Sequence, residues 1–304
     1  MPFTQPLTVI AHCGLHKTGS TYLQSNLRRN KELLSSSGIL YINTQHLKNE
    51  LRPLWNYVQS GENNTGEVNV VAEKVRKYIR KCTKKTTKVS TILISFESLF
   101  GTLRSGLVNK DRSRPSRNGE SESGLYRYAE NRMERLITCL SHAINQDGIN
   151  WKIVTVHRDM ERFSQSCYSQ LIKEGHDLSQ IPQKQFIHNA DFSFASQPSL
   201  EKAIRTIPSK WNVKHIAISY ESCISRDNPE AYLWAFLAHC LKDNSSINYD
   251  LIIENFSTID NSRRKNPSLN ERGLTIARQA RPLFRRQEWK KFRKFLEKNY
   301  SNDN

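Results

Sequence analysis

The chain has 304 residues, of which 37% are hydrophobic and 25% are charged. This composition is that of a soluble globular protein with a sizeable core, and it excludes a disordered chain. No run approaches the ~20 apolar residues that a membrane-spanning helix needs, so no membrane span is expected. Because 46 Lys and Arg residues face 29 Asp and Glu residues, the net charge is +17, which favours polyanions or a multiply charged ligand as partners.

The six cysteines are scattered along the chain, without a Cys-x-x-Cys pair or a histidine at metal-ligand spacing. This spacing argues against a zinc site and against a disulfide framework, so we expect free thiols and no metal. The amino terminus has neither a basic segment before its first apolar run nor a cleavage site, and no signal peptide is predicted. The expected compartment is therefore the cytoplasm.

Strand-like and helix-like segments alternate along the chain. Strands are predicted over residues 7–11, 38–42, 89–96, 152–157 and 214–220. Helices are predicted over residues 20–34, 70–81, 127–145, 160–173 and 230–241. Strands separated by helix-length segments predict an α/β fold, with a mostly parallel sheet flanked by helices in a three-layer sandwich.

Neither an internal repeat nor a convincing linker is present, so a single domain is predicted over residues 1–304. Residues 103–124 are poor in apolar side chains and rich in Arg, Ser, Gly and Asn, which predicts a long loop, either an active-site lid or a disordered segment. The tail over residues 263–304 is strongly basic and helical in pattern. Its aromatic residues either bind a polyanion or a membrane surface, or face the core; they include Phe284, Trp289, Phe292 and Phe295.

Residues 14–24 follow the first predicted strand and have the properties of an anion-binding loop. Two glycines allow the backbone to turn tightly, successive N–H groups point inward, and the next helix presents its positive end. The side chains add one cation and several hydroxyl donors: Lys17, Thr18, Ser20 and Thr21. The lysine lies two residues before Gly19 instead of directly after it, so the loop is not a Walker A motif, and a nucleoside triphosphatase is disfavoured.

A second group of polar residues follows the later strands. Arg158 directly follows the strand over 152–157, and Ser166 comes eight residues later on the next helix. A guanidinium fork and a hydroxyl at these positions could hold one phosphate. Alone, this spacing fits a surface arginine beside a helical serine better, and only the combination with the loop at residues 14–24 favours a phosphate site. Tyr220, at the end of another strand, fits either a binding role or a buried structural one. Arg264 belongs to a basic run that fits either a ligand-closing loop or a solvated surface.

The order Lys-Thr-Gly-Ser-Thr after a first strand resembles the 5′-phosphosulfate loop of sulfotransferases that use 3′-phosphoadenosine-5′-phosphosulfate (PAPS). It departs at His16, where that family usually has proline. The similarity touches positions from residue 7 to about residue 270 and is closest to the bacterial and glycan-modifying branches. It implies a P-loop-like nucleotide-binding fold, with PAPS bound by the loop residues Lys17 to Thr21. It further implies that Arg158 and Ser166 bind the 3′-phosphate, that Tyr220 lies near the adenine, and that Arg264 closes over the 3′-phosphate.

The resemblance also implies a reaction. A sulfuryl group would pass from PAPS to an acceptor hydroxyl or amine by in-line displacement, without a metal, leaving adenosine 3′,5′-bisphosphate. Lys17 would stabilise the leaving oxygen. Glu97 follows the strand over 89–96, where related enzymes often carry their general base, although a carboxylate there could also cap a helix. His16 and His157 are the other candidates for the base.

Two other classes of function stay open. One is a nucleotide kinase or nucleoside triphosphatase, and the other is a non-enzymatic polyanion-binding protein; nucleic acid is not the expected partner. The acceptor is either a glycan or a small metabolite, in a pocket built from the predicted loops 43–66, 103–124 and 175–200.

Overall fold

The computed structural model describes residues 3–60, 65–84, 88–108, 124–224, 228, 230–259 and 268–301. Within these residues one sheet is formed by β1 (Phe3–His12), β2 (Ile39–Asn43), β3 (Val89–Ser95), β4 (Asn150–His157) and β5 (Val213–Ser219). The strands are rich in β-branched residues, which favour extended backbone, and every residue of β3 is buried. All neighbouring strands are parallel, in the order β2-β3-β1-β4-β5. The predicted α/β class with a parallel sheet is confirmed.

The strand order places β1 in the middle of the sheet, between β3 and β4. After β1 the chain crosses to β2 on one side, whereas after β4 it continues to β5 on the other side. Ligands of open α/β sheets bind at such a reversal, beyond the carboxyl ends of the strands. The segments that follow β1 and β4 are therefore the first places to look for a binding site.

Helices account for most of the remaining described residues. They are α1 (Ser20–Arg29), α2 (Lys31–Ser36), α3 (Thr44–Lys48), α4 (Arg52–Gln59), α5 (Thr65–Thr83), α6 (Leu103–Leu107), α7 (Ala129–Ile144), α8 (Met160–Glu174), α9 (Gln183–Asn189), α10 (Gln197–Arg205), α11 (Tyr220–Cys223), α12 (Ala231–Leu241), α13 (Tyr249–Asn255), α14 (Glu271–Ala280) and α15 (Arg286–Asn299). Short 3₁₀ helices cover Glu97–Leu99, Ser193–Ala195, Ser209–Trp211 and Arg281–Leu283. None of the described helices is long and apolar enough to span a bilayer.

Two hydrophobic cores lie on opposite faces of the sheet. Along β3, Ile92 and Ile94 join one core and Leu93 joins the other, as the alternation of side chains in a strand requires. The first core contains residues of α4, α5, α7, α8, α10 and α15. The second contains residues of α1, α2, α12 and α13. The architecture is therefore a three-layer sandwich, as predicted. The single domain predicted over residues 1–304 stays a prediction.

Several predicted boundaries are wrong. The helix predicted over 20–34 is divided at Asn30, whose buried amide donates to Ser257 O and accepts from Ser257 N, at 2.8 and 2.9 Å. This tertiary contact coincides with the break and has no counterpart in the local sequence. The strand predicted to end at Tyr220 ends at Ser219, and Tyr220 begins α11.

The three segments predicted as loops contain helices. Residues 43–66 include α3 and α4, and residues 175–200 include α9 and the start of α10. Capping explains part of this difference, since Asn43 accepts from the backbone N–H groups of Gln45 and His46 at the start of α3. Residues 103–124 begin with α6, and residues 109–123 lie outside the described residues.

The predicted basic tail is helical, and it packs on the protein rather than lying free. Trp289 is 3% exposed, and its indole Nε1 donates to Lys173 O at the end of α8 over 3.1 Å. Phe284 and Phe292 are half-buried against the same core. Phe295 is 52% exposed, so of the two alternatives for these aromatic residues the core-facing one does not hold for Phe295.

Candidate functional site

The loop between β1 and α1 turns sharply at two residues. Lys17 has a φ of 67° and Gly19 a φ of 74°, both in the left-handed region. A Cβ at Gly19 would lie 2.9 Å from the ring of Tyr232, so glycine is required there by both conformation and space. Gly14 does not have a positive φ; it is needed because a Cβ there would collide with the imidazole Nε2 of His12. Of the two glycines predicted to turn the loop, Gly19 does so and Gly14 does not, and the other left-handed residue of the loop is Lys17.

The loop leaves several donors without partners. The backbone N–H groups from Lys17 to Thr21 donate to no other described residue, and no side chain caps α1. The hydroxyls of Ser20 and Thr21 are likewise unpaired among the described residues, whereas the Thr18 hydroxyl donates to Leu15 O at 2.6 Å. Thr18 thus stabilises the turn instead of offering its hydroxyl to a ligand. The remaining donors at a helix amino terminus fit an anion.

Arg158, which follows β4, contacts this loop directly. Its Nη1 donates to Lys17 O at 3.0 Å and to Ser166 Oγ at 3.2 Å. Its guanidinium also lies over the ring of Tyr220, with the centroid 5.6 Å away. Its second terminal nitrogen, Nη2, donates to no described residue. The structure therefore brings together four residues that the sequence suggested separately.

Arg158 also has a partner that sequence analysis missed. The carboxylate of Glu221 lies 3.5 Å from Arg158 Nε, and the two facing atoms are buried without a hydrogen bond among the described residues. An anionic group bound to Arg158 would share the guanidinium with Glu221. In the sequence, the one feature that pointed to Glu221 was its place directly after Tyr220, just past the end of β5.

Among the described residues, the ammonium of Lys17 is held by an amide and not by a carboxylate. Its Nζ donates to Gln170 Oε1 at 3.3 Å, and Gln170 Nε2 donates to Glu174 Oε1 at 2.8 Å. Burial lowers the pKa of Lys17, and the positive charge of nearby Lys173 lowers it further. Burial would raise the pKa of Glu174, but hydrogen bonds with His176 and Gln170 hold it below its usual value. Gln170, which sequence analysis missed, lies one helical turn after Ser166 on α8.

Glu97 lies at the carboxyl edge of the sheet, in the 3₁₀ helix after β3. Gln24 Nε2 donates to Glu97 Oε2 at 2.8 Å, and Gln24 Oε1 accepts from the Thr44 hydroxyl at 3.1 Å. The two contacts fix the orientation of the Gln24 amide. The other carboxylate oxygen, Oε1, has no hydrogen-bond partner among the described residues. Glu97 is thus oriented through one oxygen and can accept a proton on the other.

The two histidines considered as a base lie in different surroundings. His16 Nδ1 lies 2.6 Å from the Tyr126 hydroxyl, and burial lowers the His16 pKa while the charge of Glu97 opposes this shift. His157 Nε2 is 2.7 Å from Thr155 Oγ1, on the same face of the sheet, and burial followed by the charge of His215 lowers its pKa to about 4. Nε2 of His157 is thus paired with Thr155 and not with a residue of the loop after β1. Arg264 lies outside the described residues.

The fold and the site together define an α/β protein with cationic side chains and unpaired N–H donors at the carboxyl edge of its central strands. Among the described residues, no group of three or more His, Cys, Asp or Glu side chains has the arrangement of a metal site. Comparison of the chain with models of known protein families and with curated proteins finds no match. The function is therefore inferred from the residues of the site.

Proposed function

We propose that this protein is a sulfotransferase that uses PAPS as its donor. The observation that carries the proposal is the pair of contacts made by Arg158 Nη1, with Lys17 O and with Ser166 Oγ. These contacts join the anion-binding loop after β1 to a second cationic group after β4. The arrangement suits a nucleotide with two separate anionic groups, one on each side of its sugar.

The residues that would hold PAPS have donors to spare. The backbone N–H groups from Lys17 to Thr21 and the hydroxyls of Ser20 and Thr21 would bind the 5′-phosphosulfate. Arg158 Nη2 and the hydroxyl hydrogen of Ser166 would bind the 3′-phosphate. Tyr220, which packs against both Arg158 and the Gly19 turn, would lie beside the adenosine. Bound PAPS would supply an activated sulfuryl group for transfer.

Lys17 and Glu97 would perform the proton and charge chemistry. The ammonium of Lys17, contacted directly by an amide among the described residues, keeps its charge for the oxygen that leaves the sulfur. Glu97 Oε1 would take the proton of the acceptor hydroxyl or amine, while Gln24 holds the other oxygen. The acceptor would be a glycan or a small metabolite. We propose the cytoplasm as the compartment, because all six cysteines are free thiols.

Calorimetric titration separates this proposal from a nucleotide kinase. The wild type would be titrated with adenosine 3′,5′-bisphosphate and with ADP, each with and without Mg²⁺. We expect metal-independent binding of the 3′,5′-bisphosphate and weaker binding of ADP. Arg158→Ala should weaken the 3′,5′-bisphosphate about 10- to 100-fold, which corresponds to the ~1.5–3 kcal/mol of hydrogen bonds to charged groups.

Arg162→Ala is the matched control, because Arg162 is an exposed arginine on the first turn of α8. It should leave both affinities unchanged, while Lys17→Ala should weaken both nucleotides, since both carry a 5′-anion. Equal binding of ADP, or binding that requires Mg²⁺, would contradict the sulfotransferase proposal and favour a kinase. If neither nucleotide binds, the sulfotransferase proposal fails, and polyanion binding by the basic surface becomes the favoured function.

A further inference from the structure

Tyr126 makes two contacts with the residue that precedes Lys17. Its side chain is 2% exposed, and its backbone has a φ of 68°, an uncommon conformation for a tyrosine. The hydroxyl oxygen lies 3.0 Å from the backbone N of His16 and 2.6 Å from His16 Nδ1. The two rings are also stacked, with an interplanar angle of 16°. The segment that starts at residue 124 is thereby attached to the anion-binding loop.

The hydrogens of this contact can be assigned one by one. The backbone N–H of His16 can only donate, so it uses an acceptor site on the Tyr126 oxygen. The single hydroxyl hydrogen of Tyr126 then has one acceptor within reach among the described residues, His16 Nδ1. Burial raises the pKa of Tyr126 well above its ordinary value, so the hydroxyl keeps this hydrogen. Since His16 Nδ1 accepts, a neutral His16 carries its own hydrogen on Nε2.

The Nε2–H group of His16 has a partner on the neighbouring turn. Ser98 Oγ lies 3.4 Å from Nε2, at the long end of the hydrogen-bond range. Ser98 directly follows Glu97 in the 3₁₀ helix after β3, and His16 directly precedes Lys17 in the loop after β1. One hydrogen bond therefore connects the loop that carries Lys17 with the turn that carries Glu97. These are the two residues assigned above to charge stabilisation and to proton transfer.

We infer that the chain Tyr126–His16–Ser98 is a positioning device that holds Lys17 and Glu97 at a fixed spacing, and that His16 is a hydrogen-bond donor in it and not the general base. The roles given to Lys17 and Glu97 rest on the proposed function. The tautomer of His16 does not, since it follows from the contacts of Tyr126 alone.

The tautomer can be measured by NMR spectroscopy of the full-length protein with ¹⁵N-labelled histidine. The His16 resonances would be assigned by their loss in His16→Gln. At neutral pH we expect a proton on Nε2 and a bare Nδ1, and in Tyr126→Phe a shift towards a mixture of tautomers. Tyr128→Phe, a control two residues away, should leave the resonances in place. A proton on Nδ1, or a charged imidazolium at neutral pH, would overturn the assignment.

The positioning role is tested by the affinity for adenosine 3′,5′-bisphosphate. Tyr126→Phe and His16→Leu should weaken binding about 2- to 10-fold, as expected for the loss of one hydrogen bond. His16→Gln, whose side-chain amide can donate from near the position of Nε2, should retain most of the affinity. Equal affinities of Tyr126→Phe and Tyr128→Phe would contradict the role. If the wild type binds no nucleotide, the proposed function fails, and the tautomer measurement still decides the assignment of His16.

Discussion

The side chain of Lys17 illustrates how a cationic group can be held in place by an amide instead of by a carboxylate among the described residues. A carboxylate in contact with Nζ would stabilise the ammonium but compete with any bound anion. The amide of Gln170 holds the ammonium at 3.3 Å and adds no net charge. Burial lowers the pKa of Lys17, and the positive charges of nearby Lys173 and Arg158 lower it further. A bound anion, as proposed above, would relieve this local excess of positive charge.

Gln170→Glu should therefore weaken anion binding, and it also replaces the hydrogen bond from Gln170 Nε2 to Glu174 with two facing carboxylates. The new carboxylate would pair with Lys17 and raise its pKa, because an opposite charge within a few ångströms favours the charged form. We expect the affinity for adenosine 3′,5′-bisphosphate to fall about 10-fold or more, measured by calorimetry. Gln180→Glu is the control, since Gln180 is exposed in the turn after α8 and the change adds the same charge. An equal loss in both variants would show that net charge alone is responsible.

Among the structural elements, the carboxyl-terminal helix α15 is a packed part of the protein. Trp289 is buried, its indole donates to the end of α8, and Lys173 Nζ on α8 pairs with Glu297 at 3.0 Å. Because α8 also carries Ser166 and Gln170, the tail supports the helix that carries part of the candidate site. The inner face of α15 packs against the protein through Trp289, so the basic residues of α15 lie on its outer face.

Truncation of Trp289 tests this role of the tail. Trp289→Ala should lower the free energy of unfolding by about 3–5 kcal/mol, the usual cost of deleting a large buried aromatic side chain. The measurement is urea unfolding followed by circular dichroism. Phe295→Ala removes an aromatic residue of the same helix that is 52% exposed, and it should change the free energy by less than about 0.5 kcal/mol. Similar losses for both variants would contradict the packed arrangement.

The elements that sequence analysis predicted best are those with a strong local pattern. The apolar runs of β1, β3 and β4 and the glycine-containing turn before α1 were enough to predict three strands of the sheet and the loop after the first. The break at Asn30 was missed because its amide binds Ser257, more than two hundred residues away. Gln170 and Tyr126 were missed for the same reason, since their contacts with Lys17 and His16 exist only once the chain is folded.

At the scale of the whole molecule, the sheet explains why separate motifs meet. The strands are parallel, so the segments after β1, β3, β4 and β5 all lie at one edge, where Lys17, Glu97, Arg158 and Tyr220 are found. Sequence analysis could place each residue after its strand, but the spacing alone did not give the order of the strands. That order brings the segments after β1 and β4 next to each other.

The same sheet buries two histidines in the neutral state, and this has a consequence for the stability of the whole protein. His12 is 0% exposed and His157 is 7% exposed, at the ends of β1 and β4. Burial lowers the pKa of each to about 4. An unfolded histidine has a pKa of about 6.5, so below that pH the unfolded state binds more protons than the folded state.

Stability should therefore be complete above about pH 6.5 and should be lost as the pH falls towards about 4. Each histidine can contribute a loss of up to ~3 kcal/mol, which we expect to see as a falling free energy of unfolding in urea titrations from about pH 7 to about pH 4.5. Carboxylates also titrate in this range, so the comparison is between variants. As the pH falls, the free energies of unfolding of His12→Gln and His157→Gln should approach that of the wild type. His239→Gln changes an exposed residue, and its free energy of unfolding should stay at a constant difference from that of the wild type. If the free energies of unfolding of all three variants keep a constant difference from that of the wild type at every pH, burial does not hold His12 and His157 in the neutral state.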